Sequence, residues 1–133
     1  MSDVIVGTYQ QVSSVNYDEY LKAIGVSMIT RKVAGNVLQV LHISVAEDIW
    51  TIKETSTFKN SEMKFELGQE FDAETADGRK AKNVITRDGN QLTRIQSVGG
   101  ADLTSTYIFD ETGLELMLDA TNGVVAHKQF TRV

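Results

Sequence analysis

The stretch Trp50-Thr51-Ile52-Lys53-Glu54-Thr55-Ser56 alternates between two faces, and this alternation decides the fold class. The stretch Met63-Lys64-Phe65-Glu66-Leu67 repeats the pattern more cleanly. A period of two is typical of a β-strand with one face turned to the interior. Turn dipeptides such as Asp77-Gly78 and Asn122-Gly123 separate the stretches. Their spacing of about 8–12 residues predicts about ten short strands.

A helical period interrupts the strands once, near the start of the chain. The stretch Val4 to Val12 is predicted to be the first strand, and two short helices are predicted to follow it. The first helix carries apolar residues at positions i, i+3, i+4 and i+7, which gives it one buried face. Asn16 and Ser27 are predicted to cap the two helices, and Gly25 and Gly35 to end them. The apolar residues of the first helix are Tyr17, Tyr20, Leu21 and Ile24.

The chain of 133 residues is predicted to form one domain, residues 1–133. The pattern predicts an all-β fold, namely a ten-stranded antiparallel up-and-down β-barrel. A helix–turn–helix lid is expected between the first two strands. From the pattern alone, a β-sandwich remains the alternative.

Composition excludes several classes of function. The net charge is −5, which does not favour nucleic-acid binding. The chain has no cysteine and only two histidines, so disulfides, thiol chemistry and a zinc site are not expected. No Gly-x-Ser-x-Gly motif is present to carry a hydrolase nucleophile. No apolar run approaches a membrane span, and residues 1–3 do not resemble a signal peptide, so we expect a cytoplasmic protein, with nuclear entry left open.

Three predicted strands place polar or charged side chains in phase with apolar ones. A packed core would not tolerate unpaired charges at such positions. Two readings remain open from composition: the faces line a polar and apolar ligand cavity, or they form the solvated outside of the sheet. The three faces are Trp50, Ile52, Glu54 and Ser56; Leu92, Arg94, Gln96 and Val98; and Ala126, Lys128 and Phe130.

The order and spacing of several short segments together resemble the intracellular lipid-binding proteins, a family that includes fatty-acid-binding and cellular retinoid-binding proteins. The similarity covers the whole chain and is nearest to the adipocyte and heart-type branch. The segments are Gly7-Thr8-Tyr9, Asn16-Tyr17-Asp18-Glu19-Tyr20, Thr30 to Gly35, Ser56 to Asn60, Leu67 to Asp72, and Thr75 to Lys80.

The resemblance implies a ten-stranded barrel closed by two helices, with an internal cavity for a fatty acid or similar amphiphile. It implies no catalysis, no cofactor and a monomer, and it places the three mixed faces on the cavity side. It also implies a portal formed by the helix pair and by the turns that carry Phe58 and Ala76. The residues expected at or below the portal are Tyr17, Leu21, Met28, Ala34, Phe58, Ala76, Asp77 and Arg79.

The expected carboxylate site departs from the family pattern. Many members hold the ligand carboxylate with an Arg-x-Tyr pair on the last strand and a second arginine two strands earlier. Here the pair is Lys128 and Phe130, and the second position falls on Tyr107 or Ile108. Lysine is a point charge and cannot make the two-pronged contact of arginine with a carboxylate, so the inherited site is weakened.

Arg94 is the candidate replacement. We hypothesise that Arg94, Gln96, Tyr107 and Lys128 form a polar cluster for an acidic head group. In the alternative hypothesis, Glu54 neutralises Arg94 inside the barrel and leaves no cation for a ligand. Both stay open from the sequence.

A basic group on the predicted helices is a second candidate surface. By resemblance, Lys22, Arg31 and Lys32 would bring the lid to anionic membranes or protein partners during ligand transfer. The simpler interpretation is a solvated helix face whose cations complement the helix dipoles.

Three functional hypotheses follow. The first is a carrier of a long-chain fatty acid or related small lipid. The second is a carrier of a retinoid or another weakly acidic or neutral apolar ligand. The third is a storage or structural barrel without a specific ligand.

Overall fold

The computed structural model describes residues 3–35, 37–75 and 78–133. Within them the chain forms ten strands and two helices, in the order and with the bounds that follow. These are β1 Gly7–Val15, α1 Tyr17–Ala23, α2 Met28–Ala34, β2 Val40–Ala46, β3 Ile49–Thr55, β4 Ser61–Phe65, β5 Phe71–Glu74, β6 Lys80–Asp88, β7 Gln91–Val98, β8 Ala101–Phe109, β9 Gly113–Asp119 and β10 Val125–Arg132.

The ten strands form one sheet in the order β4-β3-β2-β1-β10-β9-β8-β7-β6-β5. Every pairing is antiparallel, and β1 pairs with β10, which closes most of the barrel. β4 and β5 lie at the two ends of this order, and a stack of Phe65 on Phe71, with ring centroids 5.2 Å apart, connects them. The predicted up-and-down barrel is confirmed, and the sandwich is not formed.

The two helices lie between β1 and β2, as predicted, but one of the two predicted caps is wrong. Ser27 Oγ accepts a hydrogen bond from the Thr30 amide at 3.3 Å and caps α2. Asn16 stands at the start of α1 with φ 66°, and its side chain makes no capping bond. Its Nδ2 donates instead to the Val125 carbonyl at 3.1 Å. Asn16 therefore ties the lid to the start of β10.

The first strand begins three residues later than predicted and extends beyond Val12. Residues 4 and 5 form a turn in which Asp3 Oδ1 accepts from the Ile5 amide at 3.1 Å, so the strand starts only at Gly7. The polar end of β1 stays in the sheet because Ser13, Ser14 and Val15 pair with β10 beyond a bulge at Gln11/Ser13. Pairing with the closing strand outweighs the loss of the apolar alternation.

Apolar side chains fill the part of the interior outside the cavity described below. Tyr9 is fully buried and packs edge-on against Phe109, with ring centroids 5.4 Å apart. Trp50 is 5% exposed, with the Arg87 guanidinium 5.6 Å from its ring centroid. Arg87 in turn forms an ion pair with Asp3 at 2.5 Å. This packing anchors the N-terminal turn to the barrel and leaves the space beneath the helices open.

No helix in the described parts of the chain has both the length and the apolar character needed to span a membrane.

Candidate functional site

A cavity of about 520 Å³ lies inside the barrel beneath the two helices. This volume is within the range of about 300–1,000 Å³ that is usual for small-molecule sites. Apolar and polar side chains share its walls. The apolar lining includes Ile24, Ala34, Leu41, Ile52, Leu116 and Leu118. The polar lining in the interior includes Gln39, Glu54, Arg94, Gln96, Ser105 and Lys128.

The three mixed strand faces point into the barrel. Ile52, Glu54 and Ser56 of the first face line the cavity, as do Arg94 and Gln96 of the second and Lys128 of the third. Because strand side chains alternate, the apolar members Leu92, Ala126 and Phe130 lie on the same inner side, where they are almost completely buried. The reading of these faces as a solvated outer surface is therefore excluded.

A chain of hydrogen bonds, called the relay below, joins β10, the segment before β2, and β3 across the cavity. Lys128 Nζ on β10 donates to Gln39 Oε1 at 2.8 Å, and Gln39 Nε2 donates to Glu54 Oε1 on β3. Gln39 lies just before β2 and is held in place by Gln11, whose Oε1 accepts from the Gln39 amide at 3.1 Å. Tyr17 of α1 covers the ammonium, with its ring centroid 3.6 Å from Nζ. Gln39 therefore separates the opposite charges of Lys128 and Glu54.

Burial shifts the protonation of both charged members of the relay. Desolvation lowers the pKa of Lys128 to about 8, against an opposing effect of the Glu54 charge. Burial likewise raises the pKa of Glu54, although Lys128, Arg94 and the Gln39 hydrogen bond oppose the rise. Each shift favours the neutral form, as expected for charges removed from water. The relay only partly compensates this desolvation.

Arg94 is held from the opposite wall. Its Nε donates to Asn83 Oδ1 of β6 at 2.7 Å, and no ion pair with Glu54 is present among the described residues. Glu54 is instead satisfied by Gln39. Within the same residues, the buried amide nitrogen of Gln96 has no hydrogen-bond partner. Arg94 and Gln96 thus supply a cation and an unused donor to one cavity.

The lipocalin / cytosolic fatty-acid binding protein family model matches residues 6–108. The chain belongs to this family. It is 48% identical over 102 residues to the adipocyte fatty acid-binding protein of Pygoscelis papua, which covers 77% of each chain.

Solved structures of the family are similar over nearly the whole chain. A fatty-acid-binding protein from brain tissue of Drosophila melanogaster is 38% identical, with a TM-score of 0.89, covering 96% of this chain and 98% of that one. The Schistosoma mansoni fatty acid binding protein in complex with arachidonic acid is 26% identical, with a TM-score of 0.94, covering 98% and 97%. Proteins of the fatty-acid-binding family are non-catalytic binding proteins, in agreement with the prediction of a non-enzyme.

The expected portal residues of this family member occupy different places. Tyr17, Ala34 and Phe58 line the cavity. Leu21 is fully buried in the apolar core, and Met28 is 60% exposed on the outer side of α2; neither lines the cavity. Ala76 and Asp77 lie outside the described residues.

Arg79 does not line the cavity either. Its Nη2 donates to the Ile24 carbonyl, at the C-terminal end of α1, at 2.6 Å. The chain immediately before β6 is thereby joined to the lid. An arginine at a helix C-terminus also complements the negative end of the helix dipole.

The structure shows which residues at the expected carboxylate-binding positions face the cavity. Tyr107 is 5% exposed and lines the cavity, whereas Ile108 is 40% exposed on the outer face, so Tyr107 occupies the inward position. Phe130 and Trp50 lie in the apolar core and do not line the cavity. Of the inherited pair on β10, only Lys128 reaches the cavity.

Sequence reasoning missed Gln39 and Asn83, the residues that hold the two cavity cations. Gln39 lies in an irregular segment before β2, where no periodicity indicates the direction of a side chain. Asn83 alternates with Ala81 and Ile85 on β6, and all three are buried. This face of β6 mixes a polar residue with apolar ones, which is the same pattern as in the three mixed strand faces identified from the sequence.

Proposed function

We propose that this chain binds one long-chain fatty acid non-covalently inside the barrel and carries it through the cytoplasm. Family membership supports this, as do the relatives named as fatty-acid-binding proteins, one of them in complex with arachidonic acid. Burial of the acyl chain supplies most of the affinity, at about 25 cal/mol per Å² of apolar surface before the costs of binding.

The observation that carries the proposal is the unused donor capacity beside the apolar cavity. Among the described residues, Gln96 Nε2 is buried without a partner, and Nε is the one guanidinium nitrogen of Arg94 that makes a hydrogen bond, to Asn83 Oδ1. A buried unpaired donor costs about 1–3 kcal/mol, and an acceptor that reaches it recovers this cost. We assign the head group of the fatty acid to Arg94 and Gln96, with Tyr107 and Lys128 completing the polar cluster.

The acyl chain is assigned to the apolar side of the same cavity. Tyr17, Ala34, Ile52 and Phe58 line it, and Glu54 sets the charge balance next to the head group. Phe58 is 38% exposed at the bend after β3, a position suited to a side chain that moves during ligand entry.

Titration of oleate and its methyl ester into the delipidated protein tests the assignment. Arg94→Ala is expected to weaken oleate binding by roughly tenfold or more, the loss typical of a charge-assisted contact. Lys128→Ala is expected to weaken it less, because Lys128 is engaged by Gln39 and Tyr17. The ester should respond little to either substitution. Unchanged oleate affinity in both variants would remove the head-group role.

A neutral or weakly acidic apolar ligand, such as a retinoid, is the second candidate. It is favoured because Lys128 is already hydrogen-bonded and Phe130 contributes no hydroxyl to the cavity. Equal affinity for oleate, its methyl ester and retinol would select this candidate. Mass spectrometry of the organic extract of freshly purified protein identifies the class of lipid, and the absence of stoichiometric lipid would support a barrel without a specific ligand.

We also propose that the lid contacts anionic membranes during transfer, through Lys22, Arg31 and Lys32 next to the exposed Met28 and Ile29. The Arg31 side chain is only 16% exposed, because it donates to Asp18 at 3.2 Å and to the Val26 carbonyl at 2.8 Å. Lys22 and Lys32 are more exposed than Arg31, and we assign most of the attraction to them on that ground. Neutralising these two should slow transfer to anionic vesicles, and an unchanged rate would reject the contact. A monomeric state is expected by family resemblance.

A further inference from the structure

Lys128 is the one lysine among the described residues whose side chain is buried in the barrel. It is 3% exposed and lines the cavity. Lys59 also borders the cavity, but it lies at the opening and pairs with Glu74 at 3.9 Å, where its side chain is 40% exposed. The cavity therefore offers a lipid a single interior primary amine.

The surroundings of this amine leave it able to lose its proton. Its hydrogen-bond acceptor is the neutral amide of Gln39, and Glu54 lies on the far side of that amide. Burial lowers the pKa of Lys128 to about 8. About a tenth of the protein then carries a neutral amine at pH 7, against less than about a thousandth for an ordinary lysine. Desolvated lysines of this kind are the ones that form Schiff bases with carbonyl compounds.

We infer that the Lys128 amine captures a long-chain aliphatic aldehyde as a Schiff base inside the cavity. The neutral amine nitrogen attacks the aldehyde carbon, and a proton moves from nitrogen to oxygen to give a carbinolamine. The carbinolamine hydroxyl takes up the proton that the ammonium first released to water and leaves as a water molecule, while the nitrogen lone pair forms the C=N bond of the protonated imine. Protonated amine and aldehyde thus become protonated imine and one water, so the reaction needs no oxidant or reductant.

The residues that hold the ammonium also suit the product. A protonated imine keeps one N–H, which retains the hydrogen bond to Gln39 Oε1. The Tyr17 ring stabilises the cation from above, at a distance where cation–π attraction is effective. Glu54 supplies the counter-charge beyond Gln39. The apolar walls of Leu41, Leu116 and Leu118 receive the aldehyde tail and exclude water, which slows hydrolysis.

This activity goes beyond the proposed carriage of fatty acids, because a carboxylate does not form an imine with an amine. The two are separable by experiment, because oleate titration of the wild-type protein measures fatty-acid binding without reference to any imine, and the imine label is measured in the absence of oleate. Where both occur, oleate and aldehyde compete for one cavity.

The test uses full-length delipidated protein incubated with dodecanal and sodium cyanoborohydride, which reduces an imine to a stable secondary amine. Intact-mass measurement counts the dodecyl groups, and peptide mapping locates them. We expect one group per chain, on Lys128, added about tenfold faster than on the exposed Lys53. Excess oleate should suppress the Lys128 label and leave the surface labels unchanged.

Two variants sharpen the result. Lys128→Arg keeps the cation and removes the nucleophile, so the fast label should disappear, whereas Lys53→Arg should retain it. Thermal unfolding checks that both variants fold. If Lys128→Arg does not fold, the peptide map of the wild-type chain still shows whether the fast label is on Lys128. Labelling spread over surface lysines, or a Lys128 label that oleate does not suppress in protein shown by titration to bind oleate, would overturn the inference.

Discussion

Arg79 Nη2 donates a hydrogen bond of 2.6 Å to the carbonyl oxygen of Ile24, so the residue that precedes β6 is fastened to the end of the first lid helix. The contact joins two parts of the chain that border the opening of the cavity. The next residue, Gly25, has a positive φ of 90°, and this lets the chain turn sharply after the helix. This contact holds the end of α1 against the residue that precedes β6.

Arg79→Ala should open the lid more often. A hydrogen bond to a charged group is worth about 1.5–3 kcal/mol, and partial exposure of this one reduces its share. We expect dissociation of a bound fluorescent fatty acid to accelerate roughly three- to tenfold, with a smaller change in Kd because association accelerates too. Stopped-flow displacement measures the rate. Lys80→Ala, which removes an exposed charge next to it, is the matched control, and equal acceleration in both variants would remove the fastening role.

The protonation of Lys128 should leave a signature in the pH dependence of stability. Its pKa falls from 10.5 in the unfolded chain to about 8 in the folded protein. Between these values the unfolded state binds more protons, so the free energy of unfolding should rise with pH. Lys128→Met removes the titrating amine and with it this contribution to the pH dependence. The variant should gain most over wild type at pH 7, and the difference should shrink by about 1–2 kcal/mol by pH 9.5.

Denaturant unfolding of both proteins at several pH values between 7 and 9.5 checks this expectation. Tyr17 and Tyr20 do not interfere, because burial raises the pKa of both, and that of Tyr20 to about 12. A wild-type to variant difference that stays constant across the range would show that Lys128 keeps its proton in the folded state.

The barrel itself was predictable from the sequence, because the alternation of side chains in a strand fixes the face on which each residue lies. Once Ile52 faces inward, Glu54 and Ser56 must follow, and the same holds for Arg94 with Gln96. Periodicity alone could not separate a cavity wall from an outer surface; the family resemblance made that choice. The register of alternating residues is a strong local constraint, whereas the empty space in a barrel depends on all ten strands.

The partners of the cavity charges were not predictable. Lys128 and Gln39 are 89 positions apart, and Gln39 precedes β2 in a segment without regular structure. The sequence pattern also could not predict how far along the barrel an inward-facing residue lies. Trp50 and Ile52 share a strand face, yet of these two only Ile52 borders the cavity. Arg79, expected at or below the portal, donates to the carbonyl at a helix end instead of lining the cavity. Long side chains choose among several tertiary partners, and sequence spacing does not rank them.

Glu54→Gln should tighten binding of a carboxylate ligand. The substitution removes a negative charge that lies within electrostatic reach of Lys128 and Arg94, and it keeps an amide for Gln39 to contact. We expect oleate affinity to rise roughly three- to tenfold, while methyl oleate changes little. Paired calorimetric titrations of acid and ester measure the difference, and a parallel rise for both ligands would point to a change in cavity shape.

Glu54→Gln should also change the pH profile of stability. Burial raises the pKa of Glu54 in the folded protein above its value of 4.5 in the unfolded chain. At pH values between the unfolded and the folded pKa, the folded state therefore binds more protons than the unfolded state. Wild-type stability is therefore reduced as the pH rises through this window, and the variant escapes the loss. Its advantage over wild type should grow from pH 4.5 to pH 7 in denaturant unfolding. An advantage that is already complete at pH 4.5 would mean that the charge of Glu54 is not the cause.

Gln96→Leu should move stability and binding in opposite directions. In the part of the chain that the structure describes, the amide nitrogen of Gln96 is buried without a partner, at a cost of about 1–3 kcal/mol that a leucine of similar size does not incur. The empty variant should unfold at higher denaturant concentration than wild type. Oleate should bind it roughly three- to tenfold more weakly, because the head group loses one donor. Methyl oleate, whose ester oxygens are weaker acceptors, should lose less. A variant that is less stable and binds oleate as well as wild type would show that Gln96 serves the packing of the barrel and not its ligand.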